Sequence, residues 1–242
     1  MPLRRLTARD RSPAANWQLA AVLAFTAGTV DVSSYLSLRQ FTSHMSGIVS
    51  GLAVGFAGQD ARNFIWPSTV LISFLAGAAF CALLVNWERR RKLEGIYALP
   101  VLIEALLLAL IALPPARRHP LLTLSCLGFA MGLQNAIITK ISHSEIRTTH
   151  VTGMVTDIGI ELGKAFYWNR SPAYPLITAN RKRLLLLTML VFLFFVGGAL
   201  GAFAYTHIGF LDLLPLAALL ALLTLFPLST DLRSLRSVRS EH

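Results

Sequence analysis

Two stretches of the chain repeat one polar pattern: Thr42-Ser43-His44-Met45-Ser46-Gly47 and Thr148-Thr149-His150-Val151-Thr152-Gly153. Serine and threonine at such spacing are the residues that cap or flank a helix start. Gly47 and Gly153 would let another backbone or a ligand come close. A helix start presents unpaired N–H groups and the positive end of its dipole. Two such starts facing each other inside a membrane would favour an anionic group between them. His44 and His150 titrate near neutrality and could link such a site to protons. The plain alternative is a set of ordinary caps and satisfied histidines with no ligand.

Asp157 and Glu161 follow the second pattern, four residues apart and in register with Gly153, so all three share one helix face. The first pattern has Gly47, Gly51 and Gly55 at the same positions. One short helix thus carries a glycine stripe suited to close packing, and its counterpart an acidic stripe. Carboxylates within a membrane face a cavity or a partner and can relay protons. For Glu161 the alternative is a solvated position beside Lys164. Asp31 and Asn135 hold matching places on longer apolar runs, in Gly28-x-x-Asp31 and Gly132-x-x-Asn135. The candidate binding or relay residues are therefore Thr149, His150, Thr152 and Asp157, followed by Asp31, His44, Ser46, Asn135 and Glu161. Gly28, Gly47, Gly132 and Gly153 are the expected points of close approach. Glu104 is an isolated acid early in its apolar run.

No His-Glu-x-x-His, Gly-x-Ser-x-Gly or phosphate-loop pattern occurs. His150 and Asp157 are seven apart and share a helix face, but two ligands two turns apart make a weak metal pair. No catalytic residue, metal or cofactor is expected. An intramembrane enzyme using His150 and Asp157 as an acid–base pair is one rival reading, and a membrane scaffold or sensor is another.

The elements that must position these residues are apolar. The chain is 55% apolar and 14% charged, against roughly 45–50% and about 25% in soluble proteins, and several runs approach the ~20 residues that span a bilayer. The net charge of +10 lies between the runs: Arg4, Arg5, Arg9 and Arg11, then Arg89-Arg90-Arg91-Lys92, then Arg181-Lys182-Arg183. That is how lysine and arginine are held on the cytoplasmic side, not how a nucleic-acid surface is built. The expected partners are the lipid bilayer and an unidentified small molecule or ion, without nucleic acid; a homo-oligomer is compatible with the sequence. Cys81 and Cys126 fall inside apolar runs and read as small core residues. The first apolar stretch is too long for a signal-peptide core and contains Asp31, so a cleaved leader is not expected.

After a basic cytoplasmic lead of residues 1–16, apolar segments cover 17–38, 44–58, 66–87, 97–113, 121–139, 150–163, 184–205 and 208–228, with a basic tail at 229–242. The order long, short, long, long occurs twice. Ala76-Gly77 matches Gly197-Gly198, and Leu99-Pro100 matches Leu214-Pro215, in the same order as the polar patterns. The spacing predicts an all-α polytopic transmembrane helical protein of two repeats, 17–116 and 117–228, each of about four helical segments. About 14 residues rise only ~21 Å, short of the roughly 30 Å hydrocarbon core. Each short segment is therefore expected to enter and return on one side as a half-membrane helix. That arrangement puts the basic clusters and both termini in the cytoplasm and makes the repeats inverted, a plan common in transporters.

Gly28-Thr29-Val30-Asp31, Phe41 through Gly47, Gly132-Leu133-Gln134-Asn135-Ala136 and above all Arg147 through Gly153 resemble the YoaK family of bacterial membrane proteins, defined by a domain of unknown function. The resemblance covers nearly the whole chain. It departs at Ser46-Gly47-Ile48, where the family shows Thr-Gly-Asn. It implies a bacterial inner-membrane location and supplies no substrate. The residues themselves lead to an expected function, movement of a small solute or ion linked to protons, at a junction of the two short helices.

Overall fold

The structure, a computed structural model, describes residues 13–91, 95–113, 119–141, 149–168 and 176–239. Its regular elements are helices: α1 (Pro13–Leu38), α2 (Met45–Ala57), α3 (Ala61–Arg90), α4 (Ala98–Ala112), α5 (Pro120–Ile141), α6 (Val151–Phe166), α7 (Arg181–Ile208) and α8 (Leu213–Arg239), with a 3-10 turn at Gly209–Asp212.

Local chemistry sets the ends. Asp60 caps α3 by accepting from the N–H groups of Arg62 and Asn63, and Asn180 caps α7 by accepting from Arg183. The Asp60 cap starts α3 five residues before the expected Trp66. Pro120 opens α5, and Pro100 lies in the first turn of α4, where no N–H is needed. Gly209, at φ 64°, ends α7. The expected last segment therefore starts at Leu213 rather than Ile208, and it continues as helix through residues expected to be tail.

α1, α3 and α5 are long and apolar enough to cross a membrane, as is the run Arg181–Ser229 that contains α7 and most of α8. α2 and α4 are apolar but shorter, at 13 and 15 residues. The outward faces of the long helices carry Ile72, Leu75, Leu83, Phe192, Phe195 and Phe203, all exposed, as a lipid solvent requires.

The most extensive packing joins the two sequence halves: α1 lies on α7, α3 on α5, and α4 on α8. The first two crossings use one device four times. Phe25-x-x-Gly28 of α1 meets Phe194-x-x-Gly197 of α7, and Phe129-x-x-Gly132 of α5 meets Phe74-x-x-Gly77 of α3. A Cβ added to Gly28 would stand 2.9 Å from the carbonyl carbon of Phe194, and one on Gly197 would stand 2.9 Å from that of Phe25. At the other crossing the distances are 2.7 Å for Gly132 against Phe74 and 2.9 Å for Gly77 against Phe129. Backbone lies directly on backbone, the close approach that small residues permit between membrane helices. The Leu99-Pro100 and Leu214-Pro215 match is looser, since Pro100 is buried and Pro215 exposed.

Candidate functional site

Asp31 is buried near the end of α1, and its carboxylate bonds the loop before α2. Oδ1 accepts from the N–H groups of Thr42 and Ser43, both at 2.9 Å, and from the Thr42 hydroxyl at 3.2 Å; Oδ2 accepts from the Ser43 hydroxyl at 2.6 Å. A carboxylate has four lone-pair directions and no donor, so it suits two N–H groups and two hydroxyls. The second half has the same connection in neutral form. Asn135 Oδ1 accepts from the Thr149 hydroxyl at 2.5 Å, while its Nδ2 donates to the Met131 carbonyl at 2.8 Å. Arg147 and Thr148 lie outside the described residues.

Thr42, Ser43 and Thr149 thus turn toward the long helices rather than capping the short ones. His44 and His150 occupy the two N-cap positions, and neither makes a side-chain cap bond. His44 packs edge-on against Phe41 with ring centroids 5.8 Å apart. His44, Ser46, His150 and Thr152 are all exposed.

The two starts are held by different long helices. Gln134 Nε2 donates to the Leu23 carbonyl at 2.9 Å, which sets the Asn135 end beside Leu23. Leu23 lies eight residues from Asp31, about 12 Å along α1. α2 packs on α3 and α6 on α7. Each start is thus held against its own long helix. Of the four expected points of close approach, Gly28 and Gly132 are met. Nothing lies within 4 Å of a Cβ on Gly153, and a Cβ on Gly47 would meet only the His44 ring at 3.8 Å.

The glycine and acidic stripes do different work. Pro67 has no N–H to donate to the Asn63 carbonyl one turn earlier, and Gly55 of α2 sits on that group, its added Cβ 2.5 Å from both carbon and oxygen. On α6, Asp157 Oδ2 pairs with Arg183 at 2.9 Å, both side chains partly exposed. Glu161 bonds Lys164 at 2.9 Å and accepts from the Asn180 N–H at 2.7 Å. The Lys164 ammonium, then the Asn180 N–H, hold its carboxyl below the usual carboxylate range. The acids thus tie α6 to the first turn of α7, while His150 and Gly153 are exposed.

Some polar features escape a linear reading. Ser33 of α1 donates to Asp212 in the turn before α8, across 179 positions of sequence. Glu104 is fully buried rather than interfacial. Among the described residues, no three His, Cys, Asp or Glu side chains gather as metal ligands.

Long apolar helices crossing backbone to backbone, with polar side chains spent on tying loops inside the bundle, define a polytopic α-helical membrane protein. The chain belongs to the family described as "Protein of unknown function (DUF1275)", whose model matches residues 19–226. It is similar to the UPF0700 transmembrane protein YoaK of Bacillus subtilis (strain 168), 29% identical over 159 residues, covering 62% of this chain and 68% of the relative. It is also similar to the UPF0700 transmembrane protein RA0705 of Rhizobium meliloti (strain 1021), 28% identical over 162 residues, 66% of this chain and 67% of the relative. No solved structure matches.

Proposed function

We propose that this protein moves a small solute or ion across the bacterial inner membrane, with the start of α6 as its binding site. The carrying observation is the anchored helix start: Asn135 fixes Thr149, and beyond it His150 and Gly153 are exposed, with Asp157 held beside Arg183. Thr152 adds a hydroxyl, and Arg183 beside Asp157 adds a cation. Helix starts interrupted inside a bundle are where transporters hold charged cargo. The first half offers the same start with a glycine face, so the chemistry is assigned to the second.

The two crossings built from Phe-x-x-Gly pairs and the paired Asp31 and Asn135 anchors support inverted repeats. α6, α7 and α1 then form one body and α2, α3 and α5 its counterpart, each taking helices from both sequence halves. Rocking of one against the other exposes the α6 start alternately. The basic clusters between helices favour cytoplasmic N- and C-termini.

A thermal-shift screen of purified wild type and Asp157→Asn against anions, cations and metabolites tests the site. A compound that stabilises wild type and not the variant supports it. Equal stability of both proteins in every compound and at every pH points instead to a scaffold.

A further inference from the structure

Glu104, in the second turn of α4, is wholly enclosed at 0% exposure, and neither carboxyl oxygen has a hydrogen-bond partner among the described residues. An ionised carboxylate there would give up its hydration and receive nothing in exchange, a state that proteins avoid by binding a proton. The site has company. Cys81 of α3, also 0% exposed, lies within electrostatic reach of Glu104, of Glu88 near the end of α3, and of Lys140 in the last turn of α5. Glu88 is itself buried. All four belong to the junction where α4 meets α3 and α5.

At the matching positions the other half carries no charge; its own buried acid, Asp212, lies in the turn before α8 and accepts from Ser33 of α1. The spacing that aligns the Phe-x-x-Gly crossings matches Cys81 with Gly201, Glu88 with Ile208 and Lys140 with Leu36. Glu104 falls opposite Leu219-Leu220. An acid retained without partners, at a place its twin fills with leucine, is a functional group by default within a membrane.

We propose that Glu104 is the proton-carrying site of this protein. It holds its proton while α4 is packed against α5 and α8. When α4 parts from them and water enters, the O–H bond breaks, the electron pair stays on the carboxylate and the proton passes to water. The groups facing the junction are Cys81 and Glu88 from α3, Lys140 from α5 and Asp212 from the turn before α8; residues 213–229 of α8 carry no ionisable side chain. The proposal rests on the transport reading and names protons as its coupling ion.

Infrared difference spectroscopy on the full chain in lipid nanodiscs, between neutral and alkaline pH and in light and heavy water, reads protonated carboxyl groups directly. The expected result is a deuteration-sensitive carbonyl band in wild type that disappears at alkaline pH. Glu104→Gln and Glu104→Leu should both lack the band, and Asp212→Asn should keep it. Both Glu104 variants are neutral and near the original size, so failure of one to fold leaves the other. An unchanged band in these variants, or no such band in wild type, overturns the proposal. Proteoliposomes containing a pH-sensitive dye separate it from the transport reading. A Glu104 band with no solute movement retains the proton site and overturns transport alone. Solute movement that is independent of pH and equal in wild type and Glu104→Gln overturns the coupling.

Discussion

Gly28 of α1 lies against the Phe194 carbonyl of α7 so closely that a Cβ on it would stand 2.9 Å from the carbonyl carbon. Gly132 of α5 lies in the same way against Phe74 of α3. Each glycine sits a single turn from the polar anchor on its own helix, Asp31 or Asn135, so the crossing and the anchor are set by one stretch of chain. Close packing therefore fixes where the short helices begin.

Two glycine substitutions should act in opposite directions. Gly28→Ala forces the α1–α7 backbones apart, and overpacking of this kind costs about 1–3 kcal/mol. Gly153→Ala meets nothing within 4 Å and should gain about 0.5–1 kcal/mol from the helix. Thermal unfolding in detergent measures both. A neutral Gly28→Ala would mean that the crossing is looser than described.

Asp31→Ala strands two backbone N–H groups and two hydroxyls inside the protein. Each stranded buried group costs about 1–3 kcal/mol, so a loss of at least ~3 kcal/mol is expected. Asp31→Asn, which keeps one acceptor as Asn135 does, should lose less. Denaturation of the purified variants decides this. An Asp31→Ala protein of normal stability that has lost activity would assign Asp31 to a ligand instead of the loop.

The architecture was legible because long apolar runs separated by basic clusters leave few alternatives. The matching of Asp31 with Asn135 was also legible, since both follow a glycine by three positions. Their chemistry was not. A serine or threonine beside a helix start reads as its cap, and only the fold shows Ser43 and Thr149 turned toward α1 and α5. Arg183 lies 26 positions beyond Asp157, and no local spacing joins them. The Phe-x-x-Gly pattern was present five times, counting Phe195-x-x-Gly198 beside the four used in the crossings, and phenylalanine in an apolar run hides in plain composition because it is common there.

Glu161 predicts a pH dependence. Its carboxyl is held low in the fold by Lys164 and the Asn180 N–H, while in the unfolded chain it titrates near about 4.3. Its contribution is complete above that value and is lost as pH falls through the lower folded value. The melting temperatures of wild type and Glu161→Gln should therefore differ at neutral pH and converge in acid. A gap that stays constant from neutral pH into acid contradicts the assignment.

The proposed inverted arrangement predicts a topology. In a background lacking Cys81 and Cys126, Lys92→Cys should react with an impermeant thiol reagent only from the cytoplasmic side, and Arg117→Cys only from outside. Both positions lie outside the described residues. Labelling of Lys92→Cys but not Arg117→Cys from outside defeats the half-membrane placement of the short helices.

Solute exchange in proteoliposomes tests the central claim most directly. A compound identified by its stabilisation of wild type is loaded inside, and its labelled form is followed from outside. The account predicts exchange by wild type and at least a tenfold slower rate for Asp157→Asn and for His150→Ala, a loss of about 1.4 kcal/mol or more, with both variants folded. Binding without exchange, or exchange that neither substitution alters, would contradict it.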